Sequence, residues 1–151
     1  MRGLSVLALA LVSTVAGAQT KKAPIADNSF LLEEAYNQEP GVIQHISVLQ
    51  KATKGSSWIY AFTQEWPVGG QKHQFSYTVP YAQLGKSVSG LGDLMLNWRY
   101  QLVGKDDEAT WVSPRISLSL PTGDEDKFLG SGGMGWQLDV PISHRWNDEL
   151  V

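Results

Sequence analysis

The chain has 151 residues, which suits a single domain; 42% of them are hydrophobic and 18% charged, and the formal net charge is −3. The absence of Cys excludes disulfides, thiolate metal centres and a cysteine nucleophile, and the acidic balance disfavours nucleic-acid binding. Outside the N-terminus no apolar run approaches the ~20 residues of a membrane-spanning helix. The composition is compatible with a membrane barrel, because the strands of a barrel are apolar only at every second position.

Residues 1–18 have the pattern of a secretory signal peptide. Arg2 precedes an apolar stretch over residues 4–12 with Ser5 as its one polar residue, and the small residues Ala16, Gly17 and Ala18 follow it. A short apolar stretch with such a site favours cleavage after Ala18 over an uncleaved membrane anchor. We therefore expect the mature chain to be exported.

Residues 19–41 are predicted to form an N-terminal arm. The arm begins with a polar stretch that contains a Pro. Asn28-Ser29 can cap a short helix over residues 30–36, which Pro40-Gly41 would end.

Residues 42–151 carry the period of two that is typical of strands with two different faces. The pattern predicts six strands, over residues 42–50, 57–66, 73–81, 93–102, 110–120 and 134–146. It is clearest in residues 93–102, where nine of ten positions alternate between apolar and polar. The connecting stretches are rich in Gly and charge, so the predicted fold is all-β, an antiparallel meander.

The length of the strands and the positions of their aromatic residues favour a membrane barrel over a soluble sandwich. A strand that crosses a membrane needs ~9 to 11 residues, whereas soluble strands peak at ~5 to 6. Trp58 and Trp66 are eight residues apart on one face, and Trp136 and Trp146 are ten apart. These spacings project to roughly 20 and 25 Å along a membrane normal, close to the height of the apolar band of a barrel. The predicted aromatic girdle consists of Trp58, Trp66, Tyr81, Trp136 and Trp146.

The opposite face carries charges that suit an enclosed polar interior. This face carries Asp93, Arg99, Arg115, Asp139 and Arg145, and it has no Lys. Arg is the better partner for fixed, partly buried carboxylates. We predict that this row faces a lumen, where it either forms salt bridges that hold the barrel together or sets the selectivity of a pore.

Three prolines oppose a regular closed barrel. Pro80, Pro114 and Pro141 each remove a ladder donor, which in a sheet without edges requires a bulge. Alternation and aromatic pairs also occur in soluble proteins. A secreted or periplasmic β-sandwich, or a lipocalin-like barrel that binds an apolar ligand with its aromatic face, therefore remains the alternative.

Several strings in the turns and strand starts add a resemblance to a known family. They are FLLEEAYNQEPG at residues 30–41, GLGDL at 90–94 with Tyr100, SLPTGD at 119–124 and GSGG at 130–133. Over residues 30–151 the chain resembles the N-terminal half of the outer-membrane transporter family labelled "meta-pathway of phenol degradation". The resemblance implies an outer-membrane β-barrel that takes up hydrophobic or aromatic compounds, and it brings no catalytic residues. Because the smallest membrane barrels have about eight strands, we expect six to be part of a longer barrel or to pair with other copies.

No pattern in the chain indicates catalysis. His45, His73 and His144 lie in three separate predicted strands, and no G-x-S-x-G motif is present. We therefore predict a non-enzymatic outer-membrane barrel, in contact with lipid, that passes small and hydrophobic or aromatic solutes without a cofactor or a metal. A barrel with a closed polar interior is a further alternative, and the oligomeric state is left open.

Overall fold

The structure is a computed structural model that describes residues 6–11, 33–105 and 108–146. Its strands are β1 (Val6–Leu11), β2 (Gln44–Ala52), β3 (Trp58–Pro67), β4 (His73–Leu84), β5 (Val88–Leu91), β6 (Leu94–Tyr100), β7 (Thr110–Val112), β8 (Arg115–Leu120), β9 (Gly135–Asp139) and β10 (Ile142–His144). The described residues contain no α-helix. Within them, accordingly, no helix is long and apolar enough to cross a membrane.

The strands form an antiparallel sheet in the order β1-β2-β3-β4-β6-β8-β9, with β5 paired to β4 and a separate pair of β7 and β10. Neighbours in the sheet follow one another along the chain, apart from the short strands β5 and β7. The predicted all-β antiparallel meander is therefore confirmed. Over the described residues the sheet does not close on itself, and its edges are β1 and β9.

Two predicted strands are divided at prolines. Pro114 separates β7 from β8, and Pro141 separates β9 from β10, so residues 110–120 and 134–146 are not single strands as predicted. Pairing nevertheless continues through the carbonyl groups, because Tyr100 N donates to Pro114 O at 2.9 Å and Ser113 N to Pro141 O at 3.1 Å. A proline lacks the N–H donor but keeps its acceptor, which explains why the chain stays in register across each break.

The helix predicted over residues 30–36 is absent from its described part. Residues 30–32 lie outside the described residues, and Glu33–Tyr36 are not helical. Ala35 N donates instead to Ser143 Oγ at 3.0 Å, and Ser113 Oγ donates to Ala35 O at 2.5 Å. The backbone groups of this stretch thus bond to side chains of the sheet instead of to each other.

The apolar stretch of the predicted signal peptide forms strand β1. It pairs antiparallel along β2, with Val6 opposite Ala52 and Leu11 opposite Ser47. The predicted cleavage site at residues 16–18 lies outside the described residues. In the uncleaved chain, β1 therefore covers the edge of β2.

The sheet buries its polar face and exposes its apolar face. Apart from Ala35, Gly92 and Trp111, the buried residues among those described are polar: Asn37, Gln74, Ser76, Asn97, Arg99, Gln101, Ser113, Ser117 and Ser143. On the other face Trp136 is 77% exposed, Leu138 62% and Ile116 54%. This distribution is the inverse of the one found in soluble proteins, where buried residues are mainly apolar.

The two faces are visible as rows of directly paired side chains. An apolar row runs across five strands through Trp66, Phe75, Trp98, Ile116 and Leu138. The neighbouring row on the polar face runs through Gln74, Arg99, Arg115 and Asp139. Because side chains alternate between faces along a strand, the sequence pattern alone places these residues on opposite sides.

Candidate functional site

A stretch of chain that precedes β2 lies against the polar face of the sheet. We call residues 33–38 the N-terminal segment. Besides the bonds of Ala35, Asn37 N donates to Gln101 Oε1 at 3.1 Å and Gln38 N donates to Gln74 Oε1 at 2.7 Å. Donors and acceptors from β4, β6 and the β7–β10 pair thus hold a segment that is distant from them in sequence.

Arg99 makes the largest number of bonds to this segment. Its side chain is 4% exposed, and a guanidinium has five N–H donors. All five find acceptors: Asn37 Oδ1 for Nε (2.7 Å), Glu33 Oε1 and Glu34 O for Nη1 (3.1 and 3.0 Å), and Tyr36 O and Gln74 Oε1 for Nη2 (2.7 and 3.1 Å). Four of these five acceptors belong to the N-terminal segment, so Arg99 fixes the segment to the sheet.

Glu33 joins two arginines of neighbouring strands. Arg99 and Arg115 are direct cross-strand partners, an arrangement of like charges that is unfavourable by itself. Glu33 Oε1 lies 3.1 Å from Arg99 Nη1 and 2.8 Å from Arg115 Nη1. Arg115 Nη2 is in turn 2.8 Å from Asp139 Oδ2. Three members of the predicted charged row are thus brought together around a carboxylate that lies outside that row.

The other two members of the predicted row lie elsewhere. Arg145 follows β10, and its guanidinium carbon lies 5.3 Å from the centre of the Trp111 ring. Asp93 lies at the other end of the sheet, just before β6, and binds the loop between β8 and β9. The structure therefore divides the predicted row into a central cluster of Arg99, Arg115 and Asp139 and two separate contacts.

Asp93 holds the β8–β9 loop in place through hydrogen bonds to both carboxylate oxygens. Oδ1 accepts from Gly123 N at 2.9 Å, and Oδ2 accepts from Ser131 N at 2.8 Å and Ser131 Oγ at 2.7 Å. These bonds, first of all that from the Ser131 hydroxyl, hold the pKa of Asp93 below its ordinary value of 3.8. The β8–β9 loop therefore stabilises the ionised form of Asp93.

We expect the amide resonances of Gly123 and Ser131 to titrate with Asp93 at a midpoint below pH 3.8. Because the pKa is lower in the folded chain, the contribution of Asp93 to stability is complete above 3.8 and is lost as the pH falls through the folded pKa. NMR spectra of the folded chain in micelles would measure this titration. Asp93→Asn should abolish it, and a midpoint at or above 3.8 would contradict the assigned hydrogen bonds.

The predicted aromatic residues lie towards both ends of the strands. Trp58 stacks on Tyr81 with ring centres 5.8 Å apart, where β3 begins and β4 ends. Trp66 contacts Phe75 at 5.1 Å at the opposite end. Trp136 lies at the end that holds Trp58, and Trp146 follows β10 and is 74% exposed. The structure thus distributes the five residues between the two ends of the sheet.

Sequence reasoning did not single out three residues on the polar face. Glu33 lay inside the predicted helix, so its place beside the arginines had no signal in the pattern. Glu65 had a signal, because the alternation in residues 57–66 places it on the polar face, where its Oε2 accepts from Gln74 Nε2 at 3.0 Å. Trp111 is fully buried although it shares the polar face with Ser113, and the period of two could have placed it there.

No protein-family model matches the chain, and the searches of curated proteins and of solved structures give no match. The resemblance to the phenol meta-pathway family therefore stays a prediction from the sequence motifs. Within the parts of the chain that the structure describes, no group of three or more His, Cys, Asp or Glu residues could hold a metal ion. The chemistry of the central cluster is that of guanidinium groups, which bind anions through charge and hydrogen bonds.

Proposed function

We propose that this chain forms part of the wall of an outer-membrane β-barrel that passes small solutes, with the polar face towards the lumen and the apolar face towards lipid. The inverted burial of the sheet carries this proposal. Soluble proteins rarely expose apolar patches of more than a few hundred Å². In a bilayer the same surface is favourable, because it contacts hydrocarbon instead of water.

Hydrogen bonds between side chains of the polar face support the proposal that this face lines a lumen. Asn97 Nδ2 donates to Ser76 Oγ at 3.1 Å, and Thr63 and Thr78 share a hydrogen bond of 2.7 Å, so polar side chains of neighbouring strands bind one another. The N-terminal segment lies on this face and would narrow the lumen. The proposed solutes are small, and the family resemblance favours hydrophobic or aromatic ones.

The soluble alternative has weaker support. A secreted sandwich or a lipocalin-like protein would turn its apolar face inward and its polar face to water. Among the described residues the apolar row that includes Trp98 and Ile116 faces outward, and Arg99 on the other face is buried. Contact with lipid accounts for the outward apolar row, whereas contact with water does not. Arg99 is buried because the N-terminal segment covers it, which leaves the polar face turned away from bulk water.

The proposal requires partners for both edges of the sheet. A membrane barrel closes so that every backbone donor and acceptor is paired, and the smallest have about eight strands. The described sheet ends at β1 and β9, and cleavage of the predicted signal peptide would remove β1 and make β2 the first edge. We propose that further strands or a second copy of this chain complete the barrel.

Two neighbouring residues of β9 provide the test of the membrane proposal. Leu138 lies on the apolar face and Gln137 on the polar face, and both are exposed at the same depth of the strand. In lipid vesicles we expect Leu138→Arg to lower the free energy of unfolding by about 2–4 kcal/mol, because arginine is unfavourable in the bilayer interior. Gln137 is exposed and its Nε2 donates to Asp139 Oδ1 at 2.8 Å, a bond that an arginine can also make, so Gln137→Arg should stay within about 0.5 kcal/mol of wild type. Urea unfolding followed by tryptophan fluorescence measures both.

The difference between the two variants decides the question. If water surrounds both faces, both substitutions fall on ordinary surface sites and their effects are equally small. Equal free energies of unfolding for L138R and Q137R in vesicles would therefore overturn the proposal.

A further inference from the structure

The two arginines of the central cluster bind a carboxylate that the chain itself supplies. The side chain of Glu33 ends in a propionate group, and one of its oxygens accepts from both Arg99 and Arg115. We propose that this arginine pair is a binding site for small monocarboxylate solutes, and that Glu33 occupies it as an internal ligand. This inference rests on the proposed function for the route by which such a solute arrives.

The geometry of the pair is suited to a carboxylate. The guanidinium of Arg99 is held by acceptors on Nε and Nη2, and that of Arg115 by Asp139 on Nη2. Each guanidinium therefore has a fixed orientation, and each directs Nη1 at the same point. Planar guanidinium groups recognise carboxylates through charge-assisted hydrogen bonds, and a site that is already oriented loses little entropy on binding.

One side of the site is accessible. The side chains of Glu33 and Arg115 are 29% and 24% exposed, whereas that of Arg99 is 4% exposed. Arg115 also has a buried Nε without a hydrogen-bond partner among the described residues. An incoming anion can therefore reach the Arg115 side first and replace Glu33 without entering the fully buried region around Arg99.

The surrounding charges select the class of anion. Glu65 and Asp139 lie on the same polar face as the two arginines, and Asp139 binds Arg115. A monocarboxylate that replaces Glu33 leaves the net charge of this face unchanged. A dicarboxylate would add a second negative charge near two carboxylates, which is unfavourable in a partly buried site.

The experiment uses Glu33→Ala in the full chain, folded in detergent micelles, with propionate and its neutral analogue propionamide. Removal of Glu33 leaves Arg99 and Arg115 facing each other, so we expect a lower urea midpoint than in wild type. Propionate should restore the midpoint in a saturable manner and bind about tenfold or more tightly than propionamide, because only the anion makes charge-assisted bonds. Glu39→Ala serves as the matched control, since Glu39 is exposed and accepts from the Tyr36 hydroxyl at 3.1 Å.

The site is assigned to the arginine pair by a second substitution. In the double variant E33A/R115Q the propionate effect should disappear. Equal effects of propionate and propionamide would overturn the proposal, as would undiminished rescue of E33A/R115Q or an equal gain in E39A. If E33A does not fold in either solute, the experiment uses E33Q, which keeps the volume of the side chain. Equal shifts of the urea midpoint of E33Q by propionate and propionamide would then overturn the proposal.

The outcome is separate from that of the membrane proposal. Rescue by propionate requires only a folded chain, whereas the comparison of L138R with Q137R requires a bilayer. Specific rescue combined with equal effects of the two β9 variants would keep the carboxylate site and remove the membrane barrel. Absence of rescue by propionate, combined with a large loss of stability in L138R, would keep the membrane barrel and remove the carboxylate site.

Discussion

Arg99→Ala is expected to lower the free energy of unfolding by about 3–5 kcal/mol, the range for breaking a buried, hydrogen-bonded ion pair by removing one partner. All five guanidinium donors have acceptors, and four of those acceptors lie in the N-terminal segment. The substitution leaves these acceptors without their donor and leaves Glu65 near one positive charge fewer. Urea unfolding in vesicles, followed by tryptophan fluorescence, measures the loss.

The same variant should also release the N-terminal segment from the polar face. If the segment narrows a lumen, the conductance of R99A in planar bilayers should exceed that of wild type. Lys54→Ala is the control, since Lys54 is exposed in the turn between β2 and β3. A loss of stability below about 1 kcal/mol would show that the bonds of Arg99 are replaced by water at little cost.

The second large effect is expected at Trp111, where Ala should cost about 3–5 kcal/mol, as for other buried aromatic residues. Trp111 is fully buried and packs with Ala35 and Tyr36, which belong to the N-terminal segment. Arg145 lies over its ring at 5.3 Å. Removal of the indole therefore opens a cavity and weakens the apolar contact that helps to hold the segment. Chemical denaturation in micelles measures the change.

A control for this prediction is available in the β8–β9 loop. Phe128 is 87% exposed, so Phe128→Ala should change the midpoint little. Gly104→Ala tests the same contact from the other side, because a Cβ at Gly104 would overlap the Trp111 ring and the backbone there has a φ of +117°. A similar loss for F128A and W111A would show that burial of Trp111 contributes nothing specific.

The conductance and ion selectivity of R99A would also choose between the two roles predicted for the charged row. If both are unchanged, the arginines only hold the structure together. A changed ion selectivity would favour arginines that set the selectivity of a pore. Both outcomes can be read alongside the propionate experiment, which addresses the same arginines through binding.

Much of the sheet could be predicted from local pattern. The predicted strand over residues 57–66 corresponds to β3 (Trp58–Pro67), and that over residues 93–102 contains β6. A strand alternates its side chains with a period of exactly two residues, so a few neighbouring positions are enough to define both faces. Pro114 and Pro141 indicated that the strands could be interrupted there. Whether the pairing then continues depended on the neighbouring strands, whose N–H groups donate to the proline carbonyl groups.

The helix over residues 30–36 was predicted from local signals that the tertiary structure overrides. A capping pair before apolar residues and a Pro-Gly after them favour a helix in isolation. Within the described residues, Ser113 and Ser143 instead bond the backbone of Ala35. Backbone groups adopt whichever partners the whole fold offers, and here the sheet offers better ones.

The sequence by itself determined most strands of the main sheet, their meander order and which of their residues share a face, because alternation is a property of neighbouring residues. Only the tertiary structure decided that the N-terminal segment lies on the polar face and that Glu33 joins Arg99 to Arg115. The bond between Glu33 and Arg99 spans 66 residues of sequence. No local pattern encodes such a contact, since it depends on where the folded sheet places a guanidinium and on which acceptors reach it.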